Sequence, residues 1–304
     1  MAKNPTTSTP ISSSSKTPRY PDEYRAKNHQ LQMFKTVMDE CGAMCFMYKN
    51  HPVRNVVDVG CGDGKVTSVF WDKYLSVKIP PPDSIVALDL NPSFIKNANE
   101  KYGNRIRFDV CDITDEEKVA ALYSGEKFDV VTSFMALRWI NFPKALRIIS
   151  DCLLKENGKF VMTVSAAQSC KYMLHVTAIM AKKYPEWAQY INDFERIKAS
   201  NYGLGVTIEE EIPNTMMDMR PTFEECGLGD DVIEYPMVTC EYSNSDEMRD
   251  VMKNLLSEVG IMPENKVDQY MADYIKEYLK VYGSARAQFP ILYAQLYKKN
   301  KDST

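Results

Sequence analysis

Histidine is scarce in this chain, with three in 304 residues. The eight cysteines, at positions 41, 45, 61, 111, 152, 170, 226 and 240, form no Cys-x-x-Cys pair. These two shortages argue against a zinc site and against a disulfide framework. Reduced thiols in a cytosolic protein are the simplest account. His29, His51 and His175 are isolated, so no general base stands out. No apolar run approaches the length of a membrane span, and no secretory signal is visible at the N-terminus. The net charge is only -4 and no basic block is present, which argues against a nucleic-acid footprint. What remains is the composition of a soluble globular protein, 44% apolar and 26% charged. The length suits one large α/β domain with an insertion, or two small domains.

The stretch Val56-Val57-Asp58-Val59-Gly60-Cys61-Gly62-Asp63-Gly64-Lys65-Val66-Thr67 organises the chain. Its β-branched start predicts a buried strand. Three glycines, one residue apart, then allow a sharp turn and close approach of a ligand to the backbone. Asp58 puts a carboxylate near the strand's carboxyl end, the edge where ligands sit in an open α/β sheet. The dinucleotide fingerprint would need its third glycine where Lys65 stands, so that match fails.

Residues 1–20 are rich in Ser, Thr and Pro and predict a disordered tail. Positions 24–48 predict a helix over the sheet. Ile85 to Leu90 reads as the second strand, ending in Asp89. An acid there can accept hydrogen bonds from both hydroxyls of a ribose, or can cap a helix or loop. Asn91 and Pro92 start the next helix. Ile106 to Val110 is the third strand. Asp112, just past it, can accept from an exocyclic amine or act as a helix N-cap. Phe128 to Phe134 is the fourth strand, 142–154 a helix, and Gly158 to Ser165 the fifth strand. Five strands alternating with helices predict a parallel sheet covered on both faces. Helical segments rich in Met and aromatics follow at about 169–205 and 245–283. They read as lid insertions in a single domain spanning 21–304, with Val232 to Tyr242 and Phe289 to Tyr297 as the remaining strands. Met adapts its shape, so such a lid suits an apolar substrate.

The acid and three-glycine turn resembles the first motif of class I S-adenosylmethionine-dependent methyltransferases. From Tyr24 onward the chain resembles the arthropod juvenile hormone acid methyltransferases, kin of the trans-aconitate enzymes. Tyr24-Arg25-Ala26-Lys27-Asn28, the turn from Asp58 to Thr67, Leu137-Arg138-Trp139-Ile140 and Tyr270-Met271-Ala272-Asp273-Tyr274-Ile275 carry the likeness. It implies a Rossmann-like sheet whose last strand is antiparallel and enters between its neighbours. It implies S-adenosyl-L-methionine as cofactor, with Asp58, Gly60, Cys61, Gly62, Asp89, Leu90, Asp112, Ile113 and Ser133 around it. Asp58 would stand near the donor's ammonium group. The implied reaction is methylation of the carboxylate of farnesoic or juvenile hormone acid. The family tryptophan that holds the acid falls on Trp139, preceded here by Arg138 where the family has histidine. The family glutamine falls on Leu31, with Gln30 and Gln32 on either side as candidates for its role. An ionised carboxylate needs no base, which accords with the shortage of histidine. Other acids, amines or hydroxyls are alternative acceptors, and a non-catalytic cofactor- or lipid-binding protein is the alternative of another class.

Overall fold

The computed structural model describes residues 28–40, 53–76, 80–123, 125, 127–137, 140–165, 171–191, 218–256 and 262–299. The tail predicted over 1–20 lies outside them. At the centre is β1 (Asn55–Val59), whose Val56, Val57 and Val59 are buried. Branched apolar residues on both faces are what an interior parallel strand requires. It pairs in parallel with β2 (Ser84–Asp89) on one side and β4 (Phe128–Phe134) on the other. The carboxylate of Asp129 in β4 accepts from the backbone N–H groups of Arg54 and Asn55, at 2.9 and 2.8 Å, and so fixes where β1 begins.

Outside β2 lies β3 (Arg107–Val110), and outside β4 lies β5 (Leu154–Ser165), both parallel to their neighbours. Next to β5, β8 (Arg286–Lys298) runs antiparallel, between β5 and β6 (Leu228–Glu234). The order is β3-β2-β1-β4-β5-β8-β6, and β7 (Met237–Glu241) pairs with the first part of β8. This is the Rossmann-like arrangement expected, with the last strand antiparallel and inserted between its neighbours.

β2, β3 and β8 differ from expectation only by small shifts at their ends, whereas two other strands differ in kind. The strand read over Val232 to Tyr242 is in fact two, β6 and β7, broken around Pro236, which has no N–H to give the ladder. Both pair antiparallel with the one long β8. The fifth strand starts at Leu154 rather than Gly158. Asn157 adopts φ +62° and lets the chain kink within the strand instead of before it.

Helices α1 (Asn28–Glu40), α2 (Lys65–Phe70) and α3 (Pro92–Tyr102) pack on one face of the sheet, through Phe34, Phe70 and Ile95. Trp71–Leu75 continues α2 as a π-helical turn. Asn91 caps α3, its side chain accepting from the Ser93 N–H at 2.9 Å. Helices α4 (Glu116–Leu122) and α5 (Phe142–Ile148) cover the opposite face, through Val119, Phe142 and Leu146. The expected helix over 142–154 therefore ends sooner, passing into a π-helical turn at Ile149–Leu153.

The segments read as insertions contain α6 (Lys171–Lys183), α7 (Pro185–Ile191), α9 (Ser245–Leu255) and α10 (Glu264–Tyr282), with α8 (Arg220–Glu225) between them in the chain. Except for α8, they join the core on the face that also holds α1. Their Met180, Trp187, Met248, Met252, Met271 and Tyr274 are each 2% exposed or less. These side chains fill the interior between helices. The Trp187 indole N–H donates to Asp273 at 3.0 Å, and the Tyr274 hydroxyl donates to the Met173 carbonyl at 2.9 Å. The Met and aromatic side chains named here therefore pack the helices against one another. Phe194 lies outside the described residues. No helix among the described residues is long and apolar enough to cross a membrane.

Candidate cofactor and acceptor site

Gly60, Gly62 and Gly64 all adopt left-handed backbone, at φ +79°, +57° and +77°. Their needs differ. A Cβ on Gly60 would lie 2.1 Å from the Cβ of Ala136, in the loop after β4. A Cβ on Gly64 would lie 2.9 Å from the Phe108 ring. A Cβ on Gly62 would meet nothing within 4 Å. Gly60 and Gly64 are therefore glycine for packing, whereas Gly62 leaves backbone bare toward open space. A cradle of this kind admits a ligand's close approach. The turn is tied to β2 by the Gly60 and Cys61 N–H groups, which donate to the Leu88 carbonyl at 2.7 and 2.9 Å.

Asp89 at the end of β2 shapes the same cradle. One of its oxygens accepts from the Gly62 N–H at 2.8 Å and the other from the Asn91 N–H at 2.9 Å. A carboxylate has about four acceptor positions, so each oxygen keeps room for a second donor. Burial raises the Asp89 pKa, while the N–H groups of Asn91, Gly62 and Leu90 oppose that shift. The clamp holds the carboxylate in one orientation, as recognition of a vicinal diol requires. Leu90, next in the chain, is 47% exposed, an apolar surface beside the acid.

On the adjoining strand, the Cys111 N–H donates to the Asp89 carbonyl at 3.0 Å, which brings Asp112 alongside. Asp112 is not the cap of α4. That role falls to Asp115, which accepts from the Lys118 N–H at 3.2 Å. Asp112 instead closes a turn on Thr114, one oxygen accepting from both its N–H and its hydroxyl, at 2.8 and 2.7 Å. Its other oxygen has no hydrogen-bond partner among the described residues. Ile113 beside it is buried.

Two of the residues expected around the cofactor, Asp58 and Ser133, are buried. Asp58 is 2% exposed, and its oxygens are held by the hydroxyls of Thr67 in α2 and of Thr132 in β4, the latter at 2.8 Å. Asp58 joins strand, turn and helix through these hydrogen bonds. Burial pushes its pKa up to about 6, against the opposing hydrogen bonds from Thr67 and Thr132 and with help from the charge of Asp89. Ser133 is fully buried, and its hydroxyl donates to the Val59 carbonyl at 2.9 Å. In β4 it alternates with Thr132, and the strand's pleat sends it to the opposite face. Cys61 is 8% exposed, and burial holds its thiol far above the usual range, protonated and unreactive.

Arg138 and Trp139 lie outside the described residues, as does the side chain of Gln30. Gln32 is exposed on α1, while its neighbour Leu31 packs against the core. Sequence reasoning missed Thr67 and Thr132. The visible signal was a hydroxyl interrupting an apolar run, at Thr132 within Val130–Phe134 and at Thr67 within the stripe of Val66, Val69 and Phe70. It also missed Ala136, whose contact with Gly60 is made between segments distant in sequence.

The bare backbone at Gly62, the clamped acid at Asp89 and the half-engaged acid at Asp112 stand at or just past the ends of three adjacent strands, β1, β2 and β3. They fit a nucleoside carrying a polar extension: cradle for the extension, diol acceptor, amine acceptor. A family model described as a methyltransferase domain matches residues 50–219. A protein of Invertebrate iridescent virus 6, provisionally named methyltransferase 235L, is 28% identical over 151 residues, covering 47% of this chain and 51% of its own. Malonyl-[acyl-carrier protein] O-methyltransferase of Paenibacillus sp. is 29% identical over 112 residues, covering 36% and 37%. The chain spans about half the length, or less, of these relatives. The solved structure of a SAM-dependent methyltransferase from Anabaena variabilis is 12% identical, with TM-score 0.49 and coverage of 89% and 86%. The chain belongs to the methyltransferase domain family, and its cofactor is S-adenosylmethionine.

Proposed function

We propose that this protein transfers a methyl group to the carboxylate of a small apolar acid, of the farnesoic or juvenile hormone acid kind. The observation that carries the donor half is the bare Gly62 backbone hydrogen-bonded to the clamped Asp89. Asp89 would accept from the two ribose hydroxyls and Asp112 from the adenine amine. Asp58 would place negative charge under the cationic part of the donor. Gly60, Cys61, Leu90 and Ile113 would complete the surface around it. For the acceptor half, support comes from the sequence resemblance and from the malonyl-[acyl-carrier protein] O-methyltransferase relative, whose name also specifies an oxygen acceptor. An ornithine lipid N-methyltransferase, 30% identical over 96 residues, stands on the side of an amine.

Bound S-adenosylmethionine supplies a methyl group already activated by its positive sulfur. Held by Asp89 and Asp112, the donor would give that methyl to the acceptor's oxygen, its sulfur keeping the electron pair of the C–S bond. The products are a methyl ester and S-adenosylhomocysteine. The carboxylate is ionised at neutral pH and gives up no proton, so this chain's residues need only desolvate and aim it. Orientation alone can supply about 7–11 kcal/mol in favourable cases. Trp139, with Gln30 or Gln32, is proposed to hold the acid.

The acceptor is tested with radiolabelled donor and a panel of apolar carboxylic acids. A base-labile methyl ester supports the reading. Labelled amine products from a parallel amine panel, with no ester, would replace it, and donor binding with no product from either panel would favour the non-catalytic alternative. Asp89→Ala should weaken donor binding at least about tenfold, since it removes a charge-assisted acceptor and frees the Gly62 N–H. Unchanged affinity in calorimetry would remove Asp89 from the ribose.

A further inference from the structure

Thr163 stands in β5 at the level where β4 ends. It is 2% exposed, and its hydroxyl has no hydrogen-bond partner among the described residues. A buried hydroxyl left this way is uncommon in folded proteins and calls for an explanation. Thr163 pairs with Phe134 in β4 and Tyr293 in β8, and by alternation shares the face of Val161. Asp58 and Thr132 occupy that same face. Ser165, a second hydroxyl, follows about 7 Å along it at the end of β5.

A second, independent feature lies one hydrogen bond away. The Met135 N–H donates to the Thr163 carbonyl at 2.8 Å, and Met135 adopts φ +62°, a conformation that non-glycine residues avoid. Strained backbone of this kind gathers at ligand sites. Ala136, the next residue, is the one seated against Gly60. The cofactor turn, the strained residue and the unpartnered hydroxyl are therefore linked in direct succession, from the donor cradle to the β4–β5 edge.

We propose that the Thr163 hydroxyl donates a hydrogen bond to the carboxylate of the acceptor, which makes Thr163 a binding and specificity residue of this site. The proposal rests on the methyl-transfer reading above and names the group that receives the acid. A buried hydroxyl with no partner among the described residues gains one from an anion, so the site recognises an oxyanion better than a hydrocarbon end.

The test uses dodecanoate as probe, titrated by calorimetry into the full chain saturated with S-adenosylhomocysteine. Wild type, Thr163→Val and Thr163→Ser are compared. The valine variant keeps the shape and removes the donor. It should bind dodecanoate at least about tenfold more weakly, with S-adenosylhomocysteine affinity unchanged. The serine variant should restore binding to within about threefold, since it returns the donor. Without ligand, the valine variant should melt about 2 °C higher, because an unsatisfied buried hydroxyl is gone. Equal dodecanoate affinity in the valine variant overturns the proposal, as does a wild type that binds S-adenosylhomocysteine but not dodecanoate. Loss of S-adenosylhomocysteine affinity in the valine variant would assign Thr163 a structural role and overturn it too. A wild type that binds neither molecule would instead overturn the methyl-transfer reading beneath it.

Discussion

Gly62→Ala should give a folded protein that binds S-adenosylmethionine far more weakly, while Gly60→Ala should damage the fold itself. Both glycines have positive φ, which costs a non-glycine residue about 1–2 kcal/mol. At Gly62 that is the whole cost to the fold, because the added methyl meets nothing within 4 Å. The methyl would occupy the space over the bare backbone instead. Overpacking by one carbon costs about 1–3 kcal/mol, so donor affinity should fall about ten- to a hundredfold. At Gly60 the methyl would overlap Ala136, 2.1 Å away, and the same overpacking cost adds to the strain. A loss of about 2–5 kcal/mol follows, large against the stability of an ordinary domain. Thermal denaturation and calorimetry on both variants separate the two effects. Wild-type affinity in Gly62→Ala would take that turn out of the donor site. Equal stability of the two variants would refute the division of labour among the glycines.

Asp58→Asn should raise stability at neutral pH and weaken donor binding at the same time. The buried carboxyl titrates at about 6 in the folded protein against 3.8 unfolded, mainly because burial disfavours its charge. An acid with a raised pKa makes the native state take up a proton that the unfolded chain has already released. Its contribution to stability is therefore fully present below pH 3.8 and is lost as pH rises through about 6. The difference amounts to about 3 kcal/mol, which the wild type forgoes at pH 7 and above. Asparagine removes that dependence. Its oxygen can accept from one threonine, and its NH2 group can donate to the other. The melting temperature of the variant should vary less between pH 4 and 8 than that of the wild type, and should exceed it at pH 7.5. Affinity for the cationic donor should fall more than affinity for S-adenosylhomocysteine, whose sulfur is neutral. Parallel pH profiles would show that Asp58 does not titrate as its burial requires.

The strands were legible because interior parallel strands are nearly continuous apolar runs, as in Val56–Val59 and Ile85–Leu88. The turn was legible because only glycine meets its backbone demands. The acids at Asp89 and Asp112 could be placed because each follows a strand end. The depth of Asp58 could not be read, since it depends on Thr67 and Thr132, one of them 74 residues away. Nor could the fate of Ser133 be read, because one residue of register decides which face a side chain takes. The Met and aromatic stripes marked buried helix faces, and the partners those faces meet, as in Trp187 with Asp273, lie too far apart in sequence to be read from it. Thr163 gave no signal, because a lone threonine in a strand is ordinary until its neighbours are known.

The position of β8 has a consequence for how the molecule is made. The sheet strand synthesised last lies in its interior, between β5 and β6. A ribosome must release residues 286–298 before those two strands acquire their common neighbour, so the growing chain carries exposed ladder edges until β8 emerges. Early termination or proteolytic clipping ahead of Arg286 would thus strip the middle of the sheet and yield an aggregating remnant. Such pairing across long sequence separations also sets a slow pace for refolding from denaturant.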